Sequence, residues 1–322
     1  MYNHSVYIFT YNRNSLLKRQ LNVFFILKIK SKVYILDGST NLTEKKKNQE
    51  IAKKYNVNYY YEVSYQKRFK LIDALNTTDF ISYCSDDDIV DPRFYSIGSD
   101  FLKKNKSYSA VTGRYLCLQY NPKYKFLGYR LINHLPNDFD INTENFITNI
   151  VLLESAYRLG CPPTHYGVRS FESHKILSRY VCKLKYFVSV EQLEKISILL
   201  VGGVKVLPNF FGLRDYYNTP TIHEYRDLKS NDDSDIMVLK DIIKKYLLSI
   251  NKEEYYSELA TEYAYSTNLK TTTRKNYLSF RENKSRAFFD VIRQYILNNI
   301  ENIYDSGLDS RFKKAFRKVF FS

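Results

Sequence analysis

Three consecutive aspartates, Asp86 to Asp88, follow the stretch FISYCS, which has the composition of a buried strand. Like charges side by side repel, and the ordinary needs of a soluble fold do not call for three of them here. Asp86 and Asp88, two residues apart at a strand end, can both face one Mg²⁺ or Mn²⁺, a hard ion that prefers oxygen ligands. Such an ion would hold the phosphates of a nucleotide. The alternative is a solvated turn before a helix that starts at Asp91, but the position after an apolar strand favours the metal site.

Further candidates lie in the second half of the chain. Glu191 and Glu194 stand one turn apart near the start of a predicted helix, SVEQLEKISILL. A carboxylate there could take a proton from a hydroxyl, although acidic residues in a first helical turn also simply offset the helix dipole. Arg214 could clamp phosphate oxygens, and His223 could be a third metal ligand. A lone Arg or His in a loop often does neither, so that alternative stays open.

The elements that must position these residues alternate through the first part of the chain. β-branched and aromatic runs predict strands, and helical spacing of apolar residues predicts helices between them. The predicted strands are 4–10, 32–36, 57–63 and 79–84, and the predicted helices are 14–27, 42–55, 66–76 and 93–105. Asn41 and Glu44 form a possible capping box for the second helix. This rhythm indicates βαβ units and a mostly parallel sheet.

Three polar stretches stand at the carboxyl ends of predicted strands: TYNR (10–13), DGST (37–40) and SDDD (85–88). In open α/β sheets, ligands bind beyond these ends. We therefore expect the aspartates to share a crevice with Asn12, Arg13 and Asp37.

The pattern changes towards the carboxyl terminus. Residues 1–225 read as one α/β domain, and residues 226–322 as a helical, basic region. Near its end, RFKKAFRKVFF (311–321) places a Phe stripe opposite basic side chains. That is a basic amphipathic helix suited to an anionic membrane surface. Docking of the same stripe onto the protein core is an equal alternative.

Composition narrows the classes of protein. The net charge of +15 favours anionic partners, and hydrophobic residues make up 44% of the chain, enough for a sizeable core. The four cysteines show no CxxC pair and are expected to be reduced thiols of a cytoplasmic protein. Phosphate-loop, dinucleotide-binding, zincin and hydrolase motifs are absent. No RNA-binding or zinc-finger pattern accompanies the charge, so nucleic acid is not an expected partner.

With these residues in order, the chain resembles the inverting glycosyltransferases of family 2, which use the GT-A fold. The match runs over roughly the first 225 residues, from VYIFTYNR through VYILDGST and DFISYCSDDDIVDPRFY to VEQLEKISILLVGGVKVL and FGLRDYY. The resemblance implies a Rossmann-like, mostly parallel central sheet flanked by helices, followed here by a helical carboxyl-terminal extension.

The resemblance also implies roles for residues. The catalytic base would be Glu191, which opens a helix ending near Gly202, and Mn²⁺ or Mg²⁺ would be held by Asp88 and Asp86. The third ligand, His223, is a hypothesis from the residue type alone. Lys67, from the basic and aromatic stretch SYQKRFK, joins the predicted donor site. The complete set predicted to bind the nucleotide-sugar is Thr10, Tyr11, Asn12, Arg13, Asp37, Gly38, Ser39, Lys67, Asp86, Asp87 and Arg214.

The implied activity is metal-dependent transfer of a sugar, with inversion, from a nucleoside-diphosphate sugar to a hydroxyl of a glycan or lipid-linked acceptor. It would take place in the cytoplasm, peripherally at the inner membrane face. One alternative is a sugar nucleotidyltransferase, which would want a Gly-rich loop after the first strand, whereas TYNRNS contains no Gly. Another is a non-catalytic basic protein that binds nucleic acid or membranes.

Overall fold

The computed structural model describes residues 3–120, 129–133, 140–142, 149, 165–185, 187–215 and 233–249. The strands in these ranges are β1 (His4–Thr10), β2 (Lys32–Asp37), β3 (Asn58–Tyr61), β4 (Phe80–Ser85), β5 (Ile89–Val90), β6 (Tyr108–Tyr120), β7 (Tyr129–Asn133), β8 (Asp140–Ile141), β9 (Val168–Ser170) and β10 (Gly203–Asp215). The helices are α1 (Asn14–Ile26), α2 (Leu42–Lys54), α3 (Tyr65–Leu75), α4 (Arg93–Lys104), α5 (Phe171–Val181), α6 (Phe187–Leu199) and α7 (Asp233–Ser249).

The described strands form one sheet in the order β3-β2-β1-β4-β9-β6-β10-β5, with β7 beside β6 and β8 beside β10. Pairing is parallel between β3, β2, β1 and β4, and between β6 and β10. The short β9 lies antiparallel between β4 and β6, so all six of these longer strands run in one direction. The expected α/β fold with a mostly parallel central sheet is confirmed.

Alternation along β1 shows how the two faces of the sheet are covered. Tyr7 and Phe9 face one apolar cluster, which α3, α5, α6 and α7 complete. Val6 and Ile8 face the other, which α1, α2 and α4 complete. Because helices cover both faces, β1 is buried along its whole length, as its nearly continuous apolar sequence requires.

The second helix begins at the expected residue. The side chain of Asn41 accepts hydrogen bonds from the backbone N–H groups of Thr43 and Glu44, so Asn41 is the N-cap of α2. The other half of the capping box is not formed. The Glu44 carboxylate instead accepts from the backbone N–H of Asn14 at 2.9 Å, which ties the start of α1 to the start of α2.

Several sequence expectations lie outside the described residues, among them His223, the boundary at residue 226 and the amphipathic segment 311–321. Of the carboxyl-terminal region, the structure describes α7, whose Leu239 and Ile243 pack on the cluster that covers one face of the sheet. Within the described residues, we find no helix with the length and apolar character that crossing a bilayer requires.

Candidate functional site

The carboxyl ends of β1, β2 and β4 meet at one edge of the sheet. The Thr10 hydroxyl donates to Asp86 Oδ2 at 2.6 Å, and the Asp86 backbone N–H donates to the Phe9 carbonyl at 3.3 Å. From β2, the Gly38 backbone N–H donates to the Thr10 carbonyl at 3.0 Å. The three polar stretches that follow these strands are therefore joined by direct hydrogen bonds.

Arg13 bridges two of the three aspartates. Its guanidinium lies 2.7 Å from Asp86 Oδ1 and 2.9 Å from Asp87 Oδ2. The Asp86 side chain is fully buried, and burial raises its pKa to about 7. Arg13 opposes this shift, and the neighbouring charge of Asp87 adds to it. One cation thus serves two adjacent carboxylates.

Asp37 organises the second wall of the site. Its Oδ1 accepts from the Ser39 backbone N–H at 2.7 Å, and its Oδ2 accepts from Tyr59 at 2.7 Å and from Asn48 at 3.0 Å. The Ser39 hydroxyl in turn accepts from the backbone N–H of Asn12 at 2.8 Å. These bonds fix the carboxylate and the turn around it, because every donor comes from a different place in the chain.

Asn12 turns the chain out of β1. Its φ of 53° lies in the left-handed region, which Asn tolerates better than most residues. The turn aims the Asn12 side chain at the loop after β2, where Oδ1 accepts from Asn41 and Nδ2 donates to Thr40. The exposed Tyr11 side chain reaches the same Thr40 hydroxyl at 3.1 Å.

Arg68 is a residue of this site that the sequence reasoning missed. Its buried guanidinium donates to the carbonyls of Thr10 and Leu36, each at 3.3 Å. A Cβ at Gly38 would lie 2.9 Å from its Cζ, so a side chain there would push the guanidinium out of its present position. Lys67, the predicted residue, has an exposed side chain on α3. The sequence signal that could have identified Arg68 is its position on the same face of α3 as the apolar residues Phe69 and Ile72.

The aspartates supply the hard oxygen atoms that a divalent cation prefers, so the donor chemistry fits Mg²⁺ or Mn²⁺. Asp88 is almost fully buried beside the pair that Arg13 bridges. In the part of the chain that the structure describes, no group of three or more His, Cys, Asp or Glu side chains is placed to surround an ion. A cation at Asp88 would therefore need ligands beyond the described side chains.

The two glutamates of α6 have opposite environments. Glu191 is exposed, whereas Glu194 is fully buried and contacts both Arg169 and His165. Burial opposes ionisation of Glu194, but the charge of Arg169 and the hydrogen bond with His165 outweigh it and lower the pKa of Glu194 to about 2. Arg214 lies in β10, where its backbone pairs with Cys117 of β6.

Comparisons with known proteins follow the fold rather than the sequence. No protein-family model and no curated protein sequence matches the chain. Among solved structures, the chain is similar to S. aureus TarS 1–349, with a TM-score of 0.51 and 13% sequence identity over 95% of this chain and 81% of that one. A second S. aureus TarS structure gives a TM-score of 0.46 and 12% identity over 77% and 44%. A mycobacterial protein gives 0.42 and 12% over 76% and 74%.

TarS is a teichoic acid glycosyltransferase. The two proteins share a fold. At 13% identity the likeness shows the fold alone, and it agrees with the α/β arrangement expected from the sequence.

Proposed function

We propose that this protein is a glycosyltransferase that moves a sugar from a nucleoside-diphosphate sugar to an acceptor hydroxyl during synthesis of a cell-surface polysaccharide. The observation that carries the proposal is the aspartate cluster at the joined ends of β1, β2 and β4. The fold shared with TarS supports the same class of activity. Ligands of open α/β sheets bind at this edge.

The donor nucleotide would lie along the wall formed by Asp37, Ser39 and Asn12. Among the described residues, Asp37 Oδ1 accepts one hydrogen bond, from the backbone N–H of Ser39. A carboxylate oxygen can accept two, so Oδ1 could also accept from an N–H or O–H of the nucleotide. Beneath this wall, the buried guanidinium of Arg68 contributes positive charge. Tyr11, which is exposed beside Asn12, offers an aromatic face for a base.

The leaving diphosphate is the second requirement of the reaction. Asp88 and Asp86 would hold the divalent cation, in keeping with their oxygen chemistry. When bound, such a cation offsets the negative charge that builds on the leaving phosphate. The buried position of both carboxylates strengthens their interaction with any cation, because water screens it less there.

An acceptor hydroxyl must also lose its proton. Transfer with inversion requires attack from the face opposite the leaving group, with a proton acceptor on that side. Glu191 is the sequence-based candidate, and its exposed side chain is accessible. Glu194 is a poor candidate, because Arg169 and His165 hold it ionised and a carboxylate with a pKa of about 2 binds a proton weakly.

A donor screen tests the proposal. The wild-type protein would be incubated with common sugar nucleotides, and release of the nucleoside diphosphate would be measured with and without Mn²⁺. We expect turnover with one donor class, and its loss in Asp88→Asn. Asp100→Asn, on the exposed side of α4, is the matched control and should behave like wild type. Turnover of no sugar nucleotide, or equal turnover in Asp88→Asn, would contradict the proposal.

A further inference from the structure

Residues 165–167, immediately before β9, lie against β4. In the antiparallel pairing of β4 and β9, Ile81 lies opposite Arg169, and the Ser82 hydroxyl donates to the Gly167 carbonyl at 3.0 Å. The ring of His165 packs on that of Tyr83, with centroids 5.2 Å apart. His165 therefore packs near the carboxyl end of β4, and the adjacent Tyr166 interacts electrostatically with Arg13 of the aspartate cluster.

Glu194 holds the His165 ring in place from α6. The His165 Nδ1 lies 2.5 Å from Glu194 Oε2, while Glu194 Oε1 pairs with Arg169. Arg169 is fully buried, with its guanidinium 4.3 Å from the centroid of the Tyr83 ring. A carboxylate beside a fixed guanidinium stays ionised, and an ionised carboxylate can only accept hydrogen bonds.

The contact with Glu194 determines which nitrogen of the His165 ring carries the hydrogen. Since Glu194 accepts, Nδ1 must carry the hydrogen, and the neutral ring then has its lone pair on Nε2. The His165 side chain is 15% exposed, so the ring is partly accessible while its carboxylate partner is not. A buried carboxylate that fixes the tautomer of a more accessible histidine is an arrangement known to support proton abstraction from hydroxyls.

We propose that His165, positioned by Glu194, is the proton acceptor for the acceptor hydroxyl, in place of the sequence-based candidate Glu191. The inference rests on the proposed glycosyl transfer. In that step the acceptor O–H bond breaks and its proton goes to Nε2. The oxygen bonds to the anomeric carbon as the carbon–oxygen bond to phosphate breaks, and that electron pair leaves with the nucleoside diphosphate. The imidazolium then releases its proton to water.

The first test needs no activity. Nitrogen NMR of the wild-type imidazoles, with His165 assigned by its loss in His165→Ala, should show the Nδ1–H form. In Glu194→Gln the amide can donate as well as accept, so a mixture of both forms is expected. Glu172→Gln changes an exposed carboxylate on α5 and should leave the His165 signal unchanged. An Nε2–H form in the wild-type protein would overturn the proposal.

The second test measures transfer. His165→Ala should reduce the transfer rate by about 10²-fold or more, the usual scale for losing a general base. Affinity for the nucleoside diphosphate should stay at the wild-type value, and added imidazole should restore part of the rate. A purely structural role would not be rescued. Near-normal transfer by His165→Ala, or loss of transfer in Glu191→Gln alone, would overturn the proposal. A wild-type protein that binds no nucleoside diphosphate contradicts the proposed function itself, whereas the NMR result does not depend on that binding.

Discussion

Asp86 and Glu194 are both buried and both lie beside an arginine, and yet their pKa values are shifted in opposite directions. The pKa of Asp86 is raised to about 7, and that of Glu194 is lowered to about 2. Burial favours the neutral form of each carboxyl, so it cannot explain the difference. The difference comes from the charges around each group. Asp87 competes with Asp86 for Arg13, whereas Arg169 and His165 both face Glu194.

This comparison distinguishes the aspartate cluster, which could bind a further cation, from the Glu194 cluster, which has a structural role. The aspartate cluster has more negative charge than Arg13 offsets, and a further cation or a cation-bearing ligand would stabilise it. The Glu194 cluster is already compensated, so it stabilises the ionised carboxylate and fixes its neighbours. The same residue types therefore serve two purposes, according to the number of cations available to each carboxylate.

Removing Arg169 is expected to have the largest effect on stability of the changes considered. Arg169→Met leaves the buried Glu194 with His165 alone, and we expect it to lower the free energy of unfolding by about 3–5 kcal/mol. Urea denaturation measures the effect. Lys175→Met is the matched control, since Lys175 pairs with Glu172 on the exposed face of α5 and should cost less than about 1 kcal/mol. Equal losses in the two variants would show that Glu194 is not held as described.

His4 offers a further test, because it is buried and, among the described residues, no charged side chain contacts its ring nitrogens. Its ring nitrogens contact the hydroxyls of Ser31 and Ser82, and burial lowers its pKa from 6.5 to about 3. Below pH 6.5 the unfolded chain takes up a proton that folded His4 cannot, so the wild type loses stability as pH falls towards 3. The loss from this group is at most about 1.4 kcal/mol per pH unit.

The measurement is the free energy of unfolding of wild type and His4→Gln between pH 7 and pH 4. His174, whose pKa is also lowered by burial, contributes equally to both proteins and cancels in the difference. We expect a shallower pH dependence in the variant. Parallel curves for the two proteins would show that burial of His4 does not suppress its charge.

Asp87→Asn is a milder change that tests the repulsion between Asp86 and Asp87, which share Arg13. It removes the like charge beside Asp86 and keeps an oxygen that can accept from Arg13. We expect the pKa of Asp86 to fall below about 7, and each unit of that fall is worth about 1.4 kcal/mol. Between the ordinary pKa of an aspartate and pH 7, the unfolded chain releases the Asp86 proton while the folded protein keeps it, so stability falls as pH rises through this range. This loss should shrink in the variant. Carboxyl NMR titration measures the shift, and an unchanged pKa would remove Asp87 as a cause.

Local sequence patterns predicted the framework well. Strands β1, β2 and β4 begin and end within a residue or two of the predicted limits, because each is an apolar run closed by polar residues. Asn41 caps α2 as expected, since a cap depends only on neighbours in the chain. The meeting of three strand ends follows from parallel pairing, so those residues could be grouped from sequence alone.

Contacts between distant parts of the chain could not be predicted in this way. The short strand β9 has no clear signal of its own in the sequence, because its position between β4 and β6 depends on tertiary pairing. That pairing brings His165 and Arg169 to Glu194, across 29 and 25 positions of sequence. Arg68 rather than Lys67 faces the site, because packing of Phe69 on the core sets the rotation of α3 about its axis. The spacing of residues in the sequence did not determine that rotation to within one residue.

Calorimetric titration of nucleoside diphosphates tests the central claim most directly, namely that the aspartate crevice binds a sugar-nucleotide donor with a divalent cation. Uridine, guanosine, cytidine, adenosine and thymidine diphosphates would be titrated into wild type and Asp88→Ala, each with Mn²⁺ and with chelator. We predict that one of them binds the wild-type protein, that chelator weakens the binding, and that Asp88→Ala weakens it to the same degree even with Mn²⁺ present. Binding of none of the five, or equal affinity in all four conditions, would contradict the account.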